Sequence, residues 1–428
     1  MRSGPGSRFL IVMVLLLATA FAVAAKPVTI EFWYVPFSLT DDAFKACVAE
    51  FSKDNPDITV TLVPTQYEEI TQKVAASVPV GQGPDVINPY YGWVPLWVQN
   101  GFLAPLPEDA FPPAKMKADF VAAQDISIFR GKYYGIPQDM GVWSLFYNKD
   151  AFAEAGIKAP PKTWDEFRLD AIKLTKRDAN GKLVRAGYYL DFEQQEHIVW
   201  KILLEQNGQP MFDARERRVT WNTEIGRKTF EWFMNLLLKD KVSEWGWAEA
   251  ASVAFYQGIS AMNFGTASWF SRIKANNPSL NYGVAPYPSG PAKDPKMANR
   301  NNAQFWSYCL TTKAARNPDL RAASVKWLQF LSSPKGYDTY LDVKGGMPPL
   351  KSMLALPKYA NNERYKPFIA TMGWAKPIMW ADELGERDIS IQMGQRIVLK
   401  GEKPADVLKW GEAQNNKLRD DFFALEPK

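Results

Sequence analysis

Apolar and polar positions alternate between two periods along the first ninety residues, and that alternation lays out the opening of a fold. Residues 28–34 (VTIEFWY) form a short apolar-rich run, the mark of a buried strand. Residues 41–54 follow with Phe44, Cys47, Val48 and Phe51 at helical spacing, and Asn55-Pro56 stops them. A second strand is predicted at 58–63 (ITVTLV), a second helix at 67–77 and a third strand from Asp85 through Ile87. Strand, helix, strand, helix, strand is the order of a parallel α/β sheet with right-handed crossovers. In such sheets ligands gather beyond the carboxyl ends of the strands, here 34–38, 64–67 and 88–93.

Similar units recur later. Strands are predicted at 186–190, 260–264, 282–285 and 305–310, and helices at 198–206 and 320–332, with a mostly helical tail over 389–425. The stretches 287–295 and 344–349, rich in Pro and Gly, read as loops or hinges. A chain of 428 residues exceeds one typical core, so two domains are expected.

The amino terminus carries a different signal. Arg2 and Arg8 precede an apolar run over 9–23 that ends in small residues, the form of a cleavable export signal covering residues 1–25. The run is shorter than the roughly 20 residues a membrane-spanning helix needs. Without Arg2 and Arg8 the charge balance is 49 basic against 46 acidic residues, dispersed and without a basic tract, which argues against nucleic acid as a partner. A single histidine, His197, excludes His-based metal clusters, so no metal or other cofactor is expected. Cys47 and Cys309 lie far apart and are expected to be two buried thiols rather than a bridge. Aromatic residues make up 14% of the chain, 16 of them Trp, enough to fill the core and to line a cleft that stacks flat ligand faces.

The segment 135–156 (GIPQDMGVWSLFYNKDAFAEAG) resembles the family 1 extracellular solute-binding proteins, the maltose-binding-protein-like group. Its core is Tyr147-Asn148-Lys149-Asp150-x-Phe152-x-Glu154-Ala155-Gly156, followed by Pro160-Pro161-x-Thr163-Trp164-x-Glu166. Gln138 departs from the apolar residue usual in that family. Other segments agree in order: Gly83-Pro84-Asp85-Val86 with Gly101-Phe102-Leu103, Ser260-Ala261-Met262 with Gly265 and Trp269, Tyr282 through Pro288, Gly345 through Pro348, and Lys400-Gly401-Glu402. The resemblance implies an α/β, two-lobed periplasmic binding protein fold (type II-like), each lobe a mostly parallel sheet flanked by helices. Its N-lobe would be 26–138 with 303–345, its C-lobe 139–302 with 346–428. It implies a monomer, exported to the periplasm, that passes a small-molecule solute to the permease subunits of an inner-membrane ABC importer.

Sugars offer hydroxyls to planar polar groups and C–H faces to aromatic rings. By the family's offsets Tyr90, Tyr91 and Trp93 follow Asp85 at ligand-contact positions, with Tyr91 and Trp93 replacing a polar pair, which argues against a maltodextrin. Trp269 falls at or beside the family's stacking tryptophan, and His197 near its stacking aromatic on the C-lobe. Gln66 ends the second strand, Asp139 lies at the first hinge, and Trp374 and Trp380 lie in the late segment that covers the cleft. Arg300, beside the second crossing, would favour an anionic ligand if it faced the cleft. Two function classes therefore stay open beside sugar capture: the same role for an anionic or non-sugar solute such as glycerol phosphate, and a secreted glycosidase using two carboxylates. No spacing singles out such a carboxylate pair, and the resemblance points to binding rather than catalysis.

Overall fold

Two sheets, each with its own helices, are joined by a narrow waist. The computed structural model describes residues 27–37 and 39–425; the expected export signal lies outside them. No described helix is long and apolar enough to cross a membrane. The first sheet runs in the order Ile58–Pro64, Val28–Tyr34, Val86–Asn88, Ser307–Thr311, Leu103–Ala104. Its first three strands are parallel, with Val28 opposite Ile58 and Phe32 opposite Val86. The helix Thr40–Asp54 covers this sheet with Ala43, Phe44, Cys47 and Phe51, one face at helical spacing, all buried. The Phe44 ring meets Phe32 edge-on at 4.8 Å. On the same side lies Pro318–Leu331, which starts at Pro318 and is capped by Asn317, whose side chain accepts from the Asp319 and Leu320 amides.

The second sheet runs Lys176–Arg177, Leu183–Tyr188, Ser260–Gly265, Ser144–Asn148, Tyr282–Ala285. Only Leu183–Tyr188 and Ser260–Gly265 pair in parallel, so this sheet is mixed rather than mostly parallel. The cause is the route of the chain. Ser144–Asn148 enters from the waist and therefore runs against the strands that lead toward it. The helix Trp164–Leu174 begins with a full capping box between Thr163 and Glu166. It lies so close to the sheet that a Cβ on Gly187 would sit 1.8 Å from the Ala171 carbonyl oxygen.

Three segments make the waist. Ile136–Pro137 pairs with the first sheet through Ser307 and Tyr308, and Gly141–Val142 pairs with Gln304 and Ala303. Asn301–Gln304 also pairs with Ala375–Lys376. The third segment leaves helix Pro334–Lys344 through Gly345 (φ 73°) and Gly346 (φ 122°), a left-handed pair that side-chain-bearing residues rarely adopt. Met140 N–H donates to the Met347 carbonyl at 2.8 Å and ties the first crossing to the third. Cys47 and Cys309 are free and buried, and burial pushes the Cys47 thiol up to about 12, far from the reactive range.

Candidate functional site

The carboxyl ends of the inner strands of both sheets converge on a cleft in front of the waist, as the strand order requires. Its inner chamber has a volume of about 210 Å³. The first sheet contributes Val35, Phe37, Asn88 and Tyr90 from the ends of its strands. The second contributes Thr266, Ser268, Trp269 and Arg272 just beyond Ser260–Gly265, together with Gln194 and Gln195. The waist supplies Gln138, Asp139, Gln304, Trp306 and Lys344. An outer chamber of about 600 Å³ shares Phe37, Tyr90, Gln194 and Trp306 with the inner one and adds Tyr67, His197 and Arg387.

Trp269 opens the helix Trp269–Asn276 and is 5% exposed. Its ring lies over Gly265, packed against Phe146 at 5.1 Å and Phe255 at 5.9 Å. A Cβ at Gly265 would fall 2.5 Å from the indole Cδ2. Gly265→Ala therefore drives the ring out of its seat with no loss of aromatic surface. We expect at least a tenfold rise in the dissociation constant of a bound solute, read by calorimetry, with near-native circular dichroism. Across the cleft Tyr90 presents its ring, and its hydroxyl lies 3.5 Å from Gln304 Oε1.

The polar groups are held from behind. The Asp191 backbone carbonyl accepts from the amides of Gln194, Gln195 and Glu196, and its Oδ1 accepts again from Gln194. This turn aims the two glutamines at the cleft. Gln195 Nε2 donates to the Phe264 carbonyl, while its Oε1 is buried without a partner. Gln138 likewise donates to the Tyr340 hydroxyl and leaves its Oε1 unpaired, and Arg272 Nε is a buried donor with no acceptor. Unpaired buried polar atoms are costly in a folded chain, and three of them here line one space. Burial raises the Asp139 carboxyl above its usual range, against the pull of Lys344 and Arg272. Burial lowers the Lys344 ammonium.

The residues expected at the site divide. Trp269, Tyr90 and Asp139 line the inner chamber, and His197 lines the outer one. Tyr91 and Trp93 do not. They form the single 3-10 turn Tyr91–Trp93, whose three residues per turn splay successive side chains apart. Tyr91 points into the core, where its hydroxyl accepts from Ile378 N–H at 3.1 Å and from Trp380 Nε1 at 3.0 Å. Trp93 donates to Glu383 Oε2 at 2.9 Å. Trp380 is consequently a core residue, 1% exposed, with the Lys201 ammonium 4.5 Å from its ring centre. Trp374 is half-buried behind the waist, where its carbonyl accepts from Asn301 N–H. Gln66 is exposed as the residue before helix Tyr67–Ser77 and lines neither chamber.

Arg300 also misses the cleft. It lines a cavity of about 710 Å³ behind the waist and is held there by Glu205 Oε2 at 2.6 Å and the Lys376 carbonyl at 2.8 Å. Its charge is already answered. The cations lining the inner chamber are Arg272 and Lys344, neither of them singled out in the sequence. Arg272 could have been found one helical turn after Trp269, and Lys344 as the last helical residue before the Gly345-Gly346 pair.

His197 Nε2 stands 3.5 Å from Glu383 Oε1, and neither ring nitrogen has a hydrogen bond. Burial holds its imidazole down at about 4, against the attraction of Glu383. The folded state thus refuses a proton that the unfolded chain accepts below its ordinary value of 6.5. Stability from this site is complete above pH 6.5 and drains away toward pH 4, by on the order of 3 kcal/mol. In urea titrations across that window, His197→Gln should lose less stability on acidification than the wild type by that amount.

The chain resembles known proteins along nearly its whole length. The sn-glycerol-3-phosphate-binding periplasmic protein UgpB of Escherichia coli is 25% identical over 356 residues, 79% of this chain and 77% of that protein. An ABC transporter solute-binding protein of Thermotoga lettingae, solved with α-D-tagatose, superposes with a TM-score of 0.79 at 22% identity, covering 91% of this chain and 99% of that one. UgpB of Mycobacterium tuberculosis, solved with glycerophosphocholine, gives 0.77 at 20% identity, with 93% and 99% covered. The model of the bacterial extracellular solute-binding proteins matches residues 38–338. With that model spanning well over half of its length, the chain belongs to the bacterial extracellular solute-binding proteins, and its fold is that of the solved solute-binding proteins.

Proposed function

We propose that the protein captures a hydroxylated, sugar-like solute between its lobes in the periplasm and delivers it, as a monomer, to the permease subunits of an ABC importer. The observation that carries this reading is the pairing of Tyr90 and Trp269 across a cleft that also presents the amides and hydroxyls of Gln138, Gln194, Gln195, Gln304, Thr266 and Ser268. Rings suit the C–H faces of a sugar and amides its hydroxyls. The likeness to a tagatose-bound protein supports the size class, since the inner chamber of about 210 Å³ is below the roughly 300–1,000 Å³ of sites for drug-sized ligands.

In this reading the lobes are 26–138 with 303–345 and 139–302 with 346–428, and residues 1–25 are removed on export. A solute touching both walls makes more contacts in the closed form than in the open one. It therefore shifts the population toward closure, and the closed shape is what the permease engages.

A thermal-shift screen of the purified protein against monosaccharides, disaccharides, polyols and their acidic or phosphorylated forms tests this directly. A solute that binds the native state raises the melting temperature by mass action, by the equivalent of about 2.7 kcal/mol at a hundredfold excess over the dissociation constant. A concentration-dependent rise with at least one such compound is expected. No rise across the panel removes the carbohydrate reading.

A further inference from the structure

The floor of the inner chamber carries an excess of positive charge. Arg272, Lys344 and Asp139 are its three ionisable lining residues of fixed charge sign, two cations against one acid. Lys344 is 5% exposed. Its Nζ has neither a hydrogen bond nor an ion pair among the described residues, although Asp139 and Arg272 act on it through space. Arg272 has one long hydrogen bond, from Nη1 to Ser252 Oγ at 3.5 Å, and its buried Nε has no partner. The helices that carry the two cations are tied together. Ser271 Oγ donates to the Lys344 carbonyl at 2.7 Å, which fastens the end of one helix to the start of the other.

Like charges buried side by side repel, and desolvation adds to the cost. Burial lowers both basic groups, as that cost requires, and raises Asp139, the one acid able to offset them. Among the described residues each of the other buried cations has a carboxylate within ion-pair distance: Arg300 has Glu205 at 2.6 Å, Arg419 has Glu386 at 3.0 Å, and Lys201 has Glu386 at 4.0 Å. At the cleft floor neither Arg272 nor Lys344 has an ion pair among the described residues, and both residues line the inner chamber.

We propose that this corner is an anion subsite: the solute carries one carboxylate or phosphate group, received by Lys344 and Arg272, while its hydroxyls meet the amides of Gln138, Gln194 and Gln195. The proposal rests on the reading of the cleft as the solute site. A planar guanidinium beside an ammonium suits the oxygens of either acid. The chemical class is therefore a uronic or aldonic acid, or a phosphate ester of a sugar or polyol.

Calorimetric titration with matched probes tests it: glucose, glucuronate and glucose 6-phosphate; galactose and galacturonate; glycerol and sn-glycerol 3-phosphate. In at least one set the anionic member should bind at least tenfold more tightly than its neutral partner. A uronate response identifies a carboxylate, and a phosphate-ester response a phosphate. Lys344→Met should lower the anionic-to-neutral affinity ratio at least tenfold, and Lys344→Arg should restore most of it. Should Lys344→Met misfold, the wild-type ratio and the Arg variant still decide. A neutral sugar that binds more tightly than its acid overturns the anion subsite and leaves the solute-binding reading intact. No binding by any probe overturns both.

Discussion

Trp269→Ala raises the dissociation constant of the bound solute on the order of 100-fold. The indole is an aromatic wall of the inner chamber, and its seat is built for it. Gly265 leaves room for the ring face, and Phe146 and Phe255 support it from below. Buried aromatic anchors of this kind dominate binding energies, at 2 kcal/mol or more each. Because the side chain is only 5% exposed, truncation also destabilises the fold, by about 3 kcal/mol. Trp269→Phe keeps part of the ring and should recover part of both losses. Calorimetric titration and urea unfolding on the same preparations read the two effects separately. Binding unchanged in Trp269→Ala would show that the solute sits elsewhere.

Arg419→Ala costs about 4 kcal/mol of stability, the usual result of leaving a buried charge without its partner. Arg419 lies in the last helix, Pro404–Ala424, and its side chain is fully buried. It donates to Glu386 Oε1 and to the carbonyls of Arg217, Glu216 and Met379, and it stacks over Phe212 at 4.5 Å. Without it, the buried Glu386 keeps the Ala381 amide at 3.1 Å and, as its one cation, Lys201, 4.0 Å away. The consequence reaches the lobe interface. Met379 lies between Ile378 and Trp380, the two residues that donate to the Tyr91 hydroxyl. Arg419→Ala should thus lower the urea midpoint sharply and loosen that contact, visible as faster amide exchange at Ile378. Arg419→Lys keeps the charge but not the fork of donors and should recover less than half of the loss.

Most of the fold was legible because it is built on local periodicity. The helix predicted at 67–77 is Tyr67–Ser77, and the strand at 282–285 is Tyr282–Ala285, since spacing of apolar residues decides both. The mixed order of the second sheet was not legible. It depends on where Ser144–Asn148 enters, which is a matter of topology and not of pattern. The site divided on similar lines. Trp269, expected from the family's stacking tryptophan, and Asp139, expected from its place at the first hinge, both line the inner chamber. Tyr91 and Trp93 were misplaced because the family's offsets carry no information about a 3-10 turn that packs their rings behind Tyr90, 4.7 and 6.3 Å from its ring, and leaves Tyr90 alone of the three at the chamber wall. Arg300 was misplaced because its partner, Glu205, lies 95 residues away in the chain. Arg272 and Lys344 went unnoticed because one is an ordinary helical residue and the other ends a helix. Only folding brings them to a shared corner.

The most direct test of the account is calorimetric titration of the best-binding solute from the screen into the wild type and Gly265→Ala, at matched pH and salt. One solute per chain is expected in the wild type, with a dissociation constant at least tenfold higher in the variant, because the added methyl displaces the Trp269 ring from the cleft wall. Equal affinities in two folded proteins would contradict it and move the binding site away from the cleft between the sheets.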